Sequence, residues 1–377
     1  MHLQKLELLN FKNYPEQALE FSPDINCLLG ANGSGKTNLL DAVYYLSLTK
    51  SAFHTTDAHS IRHQEELMLI RGWFRREEAT DIVQCSLQQG QRKLVMRNRK
   101  EYERLSEHVG RYPVVMIAPN DTDVIREGSE ERRKFFDGIL SQIDADYLQN
   151  LLRYNHALRQ RNSLLKSFWE QGRVQHDLLE PFTLQLLQWG LPLLERRLAF
   201  LAEFLPLFAY HYRHLADGQE EVSIRYETNL NAGEADALMA QNLQRDLAQQ
   251  RTRIGPHKDE YVFEIGGHPL KRYGSQGQQK SFLIALKLAQ FDLLRDHKGF
   301  KPLLLLDDIF DKLDDKRMAR LMELVSGHAF GQLFVTDARP ERSARLFQGL
   351  ADSEVAYFMI EEGRARQVDV QELLTEH

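Results

Sequence analysis

Three stretches of this sequence carry residue types at spacings that suit phosphate chemistry. The first is Gly30-Ala31-Asn32-Gly33-Ser34-Gly35-Lys36-Thr37, which fits the pattern G-x-x-x-x-G-K-[ST]. Small residues let backbone N–H groups turn inward around phosphate oxygens, and the N-terminus of a following helix favours the same anion. Lys36 would reach the β- and γ-phosphates of ATP, and the Thr37 hydroxyl would hold Mg²⁺. The second stretch is Leu303-Leu304-Leu305-Leu306-Asp307-Asp308. A buried parallel strand delivers acidic groups at its C-terminal end, where open α/β sheets bind ligands. Asp307 would hold Mg²⁺ through its waters. Asp308 would orient or deprotonate an attacking water. The third is Tyr273-Gly274-Ser275-Gln276-Gly277-Gln278-Gln279-Lys280, a Ser-capped helix start that makes a second anion site. One nucleotide needs one cradle. The economical reading is that Ser275, Gly277 and Gln278 close over the γ-phosphate bound to a second copy, so that ATP joins two chains in a two-fold arrangement.

The elements that position these groups follow from periodicity. Residues 3–11 alternate into a first strand, residues 18–21 give another, and Ile25 to Leu29 is apolar except for Asn26, as in a strand buried on both faces. A helix follows over 38–48. Residues 67–74, 81–87 and 92–97 read as an antiparallel sheet with a Gly90 turn, and 113–118 as a short strand. From about residue 120 the 3.6-residue period takes over, in 129–143, 146–169, 177–214 and 234–251. Pro181, Pro192 and Pro206 are expected to break or kink the third of these. The α/β texture returns with strands at 261–265 and 270–273, a helix at 276–295, a strand at 302–306, a helix at 314–326, and strands at 332–336 and 355–360. The fold class is therefore α/β with an antiparallel β subdomain and an inserted, mainly helical lobe. The expected division is 1–119 with 296–377 as the first lobe and 120–295 as the second.

The 377 residues are 42% hydrophobic and 27% charged, ordinary for a globular protein. No charge-free apolar run of about 18 residues is present, so no membrane span is expected, and the start of the chain lacks a signal-peptide pattern. A cytoplasmic location follows as an expectation. Cys27 and Cys85 lie in apolar strand-like runs and read as reduced, buried thiols. Net charge is −6, so any nucleic-acid binding must come from a local patch. Basic side chains gather at Arg132, Arg133, Lys134, Arg153, Arg159, Arg161 and Lys166, and again at Arg92, Lys93, Arg97, Arg99, Lys100 and Arg104, whereas 351–377 holds seven acids against two arginines. Two readings of the basic segments stand: a sequence-blind surface for DNA phosphates, or a solvated helix face and hairpin tip, with Arg153, Arg159 and Arg161 holding the helical lobe together. His257 lacks metal-ligand partners at suitable spacing and reads as a structural histidine.

The spaced motifs resemble the ATP-binding cassette class, and the whole chain more closely resembles the RecF family of bacterial recombination mediators, relatives of the SMC ATPase heads. The resemblance is carried by Leu8-Leu9-Asn10-Phe11-Lys12-Asn13-Tyr14, the Walker A loop Gly30 to Thr37, Gly128 to Phe135, Tyr154-Asn155 through Arg161-Asn162, Gly255-Pro256-His257-Lys258-Asp259, the signature Gly274 to Lys280, and Leu305 through Asp314 around Walker B. It implies an ABC/SMC-type P-loop head and a weak, DNA-stimulated ATPase. It also implies an ATP-dependent homodimer on duplex or junction DNA, with roles in DNA repair, replication and the SOS response. It further implies help in loading recombinase at single-strand gaps, with RecR- and RecO-type partners. There are departures. Transporter cassettes carry Glu after the Walker B Asp, where this chain has Asp308; the shorter carboxylate predicts slow hydrolysis. They carry His after the strand at 332–336, where this chain has Asp337. Relatives tend to carry Arg where this chain has Lys258, Lys280 and His54. A transporter ATPase subunit and a DNA-binding scaffold with a purely structural ATP site are the alternatives.

Overall fold

The computed structural model describes residues 1–216, 220–310, 315–326, 329–350 and 353–375. The expected motif end at Leu313 and Asp314, and parts of the acidic C-terminal stretch, lie outside them. In chain order the elements begin β1 (His2–Phe11), β2 (Tyr14–Glu20), β3 (Ile25–Leu29), α1 (Lys36–Leu48), β4 (Leu67–Arg76), β5 (Ala79–Gln88), β6 (Leu94–Arg97), β7 (Lys100–Glu101) and β8 (Val114–Ile117). Then come α2 (Asp123–Arg126), α3 (Ser129–Ile143), α4 (Ala145–Gln171), α5 (His176–Leu215), β9 (Val222–Glu227), α6 (Ala235–Gln249), β10 (Glu260–Ile265), β11 (His268–Pro269) and α7 (Leu270–Tyr273). The chain closes with α8 (Gln276–Lys298), β12 (Leu303–Leu306), α9 (Asp315–Ser326), β13 (Leu333–Asp337), α10 (Pro340–Phe347), β14 (Val355–Glu361), β15 (Arg364–Val368) and α11 (Val370–Thr375). These divide into two compact units, Met1–Asp121 with Leu286–His377, and Thr122–Ala285.

The first unit holds two six-stranded sheets. One is antiparallel, in the order β2-β1-β4-β5-β6-β7, and β4 alternates buried and half-exposed residues as a one-sided sheet does. The other runs β15-β14-β3-β13-β12-β8, with β14, β3, β13, β12 and β8 parallel and β15 antiparallel at the edge. Its central strands β3, β13 and β12 are buried along their whole length. The four leucines of β12 are at most 1% exposed, and each contributes about 1.5–3 kcal/mol of apolar burial. Asn26, the one polar residue of β3, bonds to the backbone of Ser22 through both ends of its amide, so its burial leaves no polar group unpaired. Helix α1 packs on both sheets. Gly72 in β4 permits this, because a Cβ there would stand 2.5 Å from Leu46 of the helix. Cys27 and Cys85 are buried free thiols.

The second unit is mainly helical, with a small sheet β11-β10-β9. An aromatic core joins its layers: the Phe136 ring lies 4.1 Å from Tyr261 of β10 and 5.5 Å from Phe204 of α5. Two expectations are corrected here. Residues 177–214 do not break: α5 is one helix of 40 residues with Pro181, Pro192 and Pro206 inside it. Its apolar face packs along α4, and Gly190 lets the two approach until a Cβ would sit 3.1 Å from the Tyr154 ring; that burial outweighs three lost backbone bonds. Residues 270–273 form a helical turn, not a strand, because β10 finds its full-length partner in β9, which apolar periodicity alone did not single out. The edge strand β15 was likewise not anticipated; its pattern is mostly exposed.

Candidate functional site

The loop from Gly30 to Thr37 leaves β3 and enters α1. Its shape is set by neighbours as well as by its own glycines. Gly35, at φ 120°, precedes the helix without a side-chain cap, and a Cβ there would strike the Asn13 amide and the Tyr14 hydroxyl. Those two side chains brace the loop: Asn13 Nδ2 donates to the Ser34 carbonyl at 3.1 Å, and Tyr14 Oη donates to the Gly35 carbonyl at 3.0 Å. Asn38 Nδ2 holds Asn13 Oδ1 at 2.8 Å, and the Gly363 N–H reaches the Ser34 carbonyl at 3.1 Å. The first-turn N–H groups of α1 thus have no side-chain cap, and Ser34 Oγ is buried with no hydrogen-bond partner among the described residues. Lys36 Nζ donates to the carbonyls of Gly30 at 2.7 Å and Ala31 at 2.8 Å. Burial lowers the Lys36 pKa, opposed by Asp308, Asp307 and Asp337.

The acidic pair sits at the end of β12 against this loop. Asp307 is 4% exposed. Thr37 Oγ1 lies 2.9 and 3.1 Å from its two carboxylate oxygens, so the phosphate loop and the acidic strand end are directly bonded. Burial raises the Asp307 pKa; the hydroxyls of Thr336 and Thr37 pull it down, and Asp308 adds to the rise. Thr336 was not foreseen as a site residue. Its hydroxyl donates to Asp307 Oδ1 at 2.9 Å and accepts from the Asp308 N–H at 2.8 Å. Asp308 has φ 47°, a left-handed backbone that costs a non-glycine residue roughly 1–2 kcal/mol, and the Thr336 bond holds it there. Gly33, Lys36, Thr37, Asp307, Asp308 and Thr336 all line one cleft of about 280 Å³, whose lining belongs wholly to the first unit. Asp337 is not among them. It is 1% exposed and bonds to the Arg339 N–H at 2.9 Å, Arg342 Nη2 at 2.5 Å and Ser343 Oγ at 2.7 Å, fixing the start of α10.

Ser275, Gly277 and Gln278 belong to the second unit, at the start of α8. Ser275 is exposed, and it forms a reciprocal capping box with Gln278: the Gln278 N–H donates to Ser275 Oγ at 3.2 Å and the Ser275 N–H to Gln278 Oε1 at 2.6 Å. A hydroxyl that accepts a bond keeps its own proton to donate. Gln278 Nε2 also reaches Glu220 Oε1 at 2.7 Å, whose other oxygen accepts from Tyr212 Oη at 2.6 Å, so the start of α8 is tied to the end of α5.

The basic segments are largely spent inside their own units. Arg161 is 1% exposed and pairs with Asp246, Arg132 pairs with Glu260, Arg153 stacks 4.6 Å over Trp189, and Lys134 pairs with Glu131. In the other segment Arg92 pairs with Glu101, Lys93 with Asp57 and Arg97 with Asp81, leaving Arg99, Lys100 and Arg104 exposed. His257 is structural: Nδ1 shares a 2.5 Å bond with Tyr154 Oη, and Nε2 lies 3.0 Å from the Thr252 carbonyl. Among the described residues no group of three or more His, Cys, Asp or Glu side chains is arranged for a metal, and no helix is long and apolar enough to cross a membrane.

Residues 2–365 match the family model described as the RecF/RecN/SMC N terminal domain. A Flavobacterium johnsoniae protein named DNA replication and repair protein RecF is 46% identical over 343 residues, covering 91% of this chain and 96% of the relative. A Cytophaga hutchinsonii protein of the same name is 44% identical, with 97% of each chain covered. The solved structure of the recombination mediator protein RecF with ATP, of the RecFOR pathway, superposes with a TM-score of 0.87 at 29% identity and 98% coverage of both chains. The Pyrococcus furiosus Smc head domain shares the fold, at a TM-score of 0.54 and 17% identity. The chain therefore belongs to the RecF family of DNA replication and repair proteins, within the ABC/SMC-type ATPase heads.

Proposed function

We propose that the cleft binds ATP with Mg²⁺ and that the bound nucleotide pairs two copies of the chain on DNA during recombinational repair. The observation that carries the nucleotide reading is the bond between Thr37 and Asp307, which brings the phosphate loop and the acidic strand end together. The residues fit the ligand: Ser34 Oγ is a buried polar atom in want of a partner, and the uncapped start of α1 offers N–H groups to the same anion. The backbone from Gly30 through Ala31, Asn32, Gly33, Ser34 and Gly35 would cradle the phosphates, and Lys36 would turn from its two carbonyls to the β- and γ-phosphates. Thr37 and Asp307 would hold Mg²⁺, which when bound neutralises charge on the phosphate oxygens. Asp308 would orient the water that attacks the γ-phosphorus as the bond to the bridging oxygen breaks, giving ADP and phosphate. Asp308 is one methylene shorter than Glu and is held in a fixed left-handed backbone, which supports slow turnover.

The self-capped Ser275, with Gly277 and Gln278, would donate to the γ-phosphate on the second copy, so hydrolysis removes the shared group and releases the pair. A structure of RecF with ATP supports the nucleotide. The relatives' names support DNA repair and replication as the setting, and the RecFOR pathway named for the solved structure supports RecR- and RecO-type partners, with which the chain would help load recombinase at gaps. DNA would accelerate hydrolysis by favouring the paired state, and a cytoplasmic location fits that role. A transporter subunit is disfavoured by Asp308 and by Asp337, which is engaged with α10. The test is Lys36→Arg. It should keep the fold by circular dichroism while ATP turnover falls at least about tenfold, the effect of losing about 1.4 kcal/mol of transition-state stabilisation; unchanged turnover would refute the reading.

A further inference from the structure

The sequence motifs of the second unit that ATP does not use converge on one loop. Arg161 and Asn162 of α4 grip its beginning: Arg161 Nη1 reaches both Asp246 Oδ2 and Thr252 Oγ1 at 2.7 Å, and Asn162 Oδ1 accepts from the Thr252 N–H at 2.8 Å. Asp246 Oδ1 accepts from the Arg253 N–H at 3.1 Å. Asn229 clasps the middle, donating to the Arg253 carbonyl at 2.8 Å and accepting from the Gly255 N–H at 3.0 Å. Gly255 is at φ 129°, and a Cβ there would strike the Tyr154 hydroxyl, which is bonded to His257. At the far end the buried Arg197 pairs with Asp259 at 2.7 Å and holds the Pro256 carbonyl at 2.8 Å. Burying two arginine–carboxylate pairs is a weak source of stability; what it secures here is one backbone conformation.

That conformation presents cations. Arg251 and Lys258 are exposed, Arg253 is half-buried, and Arg133 of α3 is anchored beside them by a 2.7 Å bond from Nη1 to the Asp259 carbonyl. Burial, and then Arg251, Arg133 and Arg253, lower the Lys258 pKa, so each of the three arginines lies within electrostatic reach of Lys258. Neither Arg251 nor Lys258 has a side-chain ion pair among the described residues. The carboxylates of the loop, Asp246 and Asp259, are buried and paired with Arg161 and Arg197. Between residues 245 and 258 no large apolar side chain is exposed, and the exposed groups offer charge and hydrogen-bond donors, which is what phosphate contacts need.

We infer that the loop Arg251–Lys258, together with Arg133, is a preformed seat for the phosphate backbone of nucleic acid. The inference rests on the DNA-binding reading above and gives it a place on the chain. The contacts are blind to base sequence and add to the salt dependence of binding.

The experiment follows a fluorescent duplex of about 30 base pairs by anisotropy, with the full chain, ATP and Mg²⁺, over about 50 to 300 mM salt. In R251Q/K258Q the slope of log affinity against log salt should become shallower by about 2, at about 0.9 per lost phosphate contact, and affinity near 0.1 M salt should fall roughly 10- to 100-fold. R251K/K258R should restore both, and fluorescent ATP binding should be unchanged in either variant. R99Q/K100Q removes the same net charge elsewhere and should change the slope less. A wild-type chain without salt-dependent duplex binding overturns both this inference and the reading it rests on. Wild-type binding with an unaltered slope in R251Q/K258Q, or a change no larger than in R99Q/K100Q, overturns the loop alone.

Discussion

Thr336→Val tests the geometry of the acidic pair most sharply, because it keeps the shape of a buried side chain and removes one hydroxyl. That hydroxyl makes two bonds, to Asp307 Oδ1 at 2.9 Å and from the Asp308 N–H at 2.8 Å. Its loss leaves a part-buried N–H unpaired, at a cost of about 1–3 kcal/mol. It also releases Asp308 from a left-handed backbone that is unfavourable by roughly 1–2 kcal/mol, so the residue relaxes and its carboxylate swings off line. A misplacement worth about 1.4–2.7 kcal/mol in the transition state lowers turnover by about 10- to 100-fold. ATP affinity rests mainly on the loop and Lys36 and should change less than about threefold, under about 0.7 kcal/mol. Single-turnover hydrolysis alongside fluorescent-ATP binding separates the two. Thr336→Ser, which keeps the hydroxyl, should recover most of the rate. Wild-type turnover in Thr336→Val, or equal loss in Ser and Val, would refute the positioning role.

Three further expectations bear on other parts of the molecule. Ser275→Arg should leave ATP binding by the single chain intact and abolish ATP-driven pairing; normal pairing would reject the shared site. His108 is buried with Nε2 against the Leu46 carbonyl, and burial lowers its pKa to about 4. The unfolded chain, titrating near 6.5, takes up the proton first, so stability present above pH 6.5 is lost as pH falls toward 4, about 2 kcal/mol of it by pH 5 from this residue. Urea unfolding of His108→Gln should show a weaker loss between pH 7.5 and 5, and an identical slope would contradict the assignment. The raised Asp307 pKa means that a proton competes with the cation above the ordinary Asp range of about 3.9. Mn²⁺ affinity in the presence of ATP, read by electron paramagnetic resonance, should therefore fall as pH is lowered toward that raised value, and Asp307→Asn should remove the trend; pH-independent affinity would count against Asp307 as a ligand.

The parts legible in the sequence were those whose chemistry is local. Gly30 to Thr37 lies between an apolar strand and a helix, and the four leucines before Asp307 specify a strand buried on both faces without reference to anything distant. Thr336 was hidden because its role depends on a neighbour. The parallel register sets Leu306 beside Val335, which brings the following residues, Asp307 and Thr336, side by side, and no linear pattern records that pairing. The basic segments show the same limit. Composition counts Arg132 as positive surface while the fold spends it on Glu260, and of the two readings open for Arg161 the fold takes the one that holds the helical lobe together, through Asp246 in the interior. At the three prolines of α5 the rule that permits a break gave way to packing against α4, and the helix runs on through them.

The central claim is that ATP, and not ADP, joins two copies of this chain. Sedimentation velocity of the wild-type protein with Mg²⁺ and either nucleotide tests it directly. The account predicts a dimer in ATP and a monomer in ADP, with duplex DNA stabilising the ATP-bound dimer; a monomer in both, or a dimer indifferent to the γ-phosphate, would contradict it.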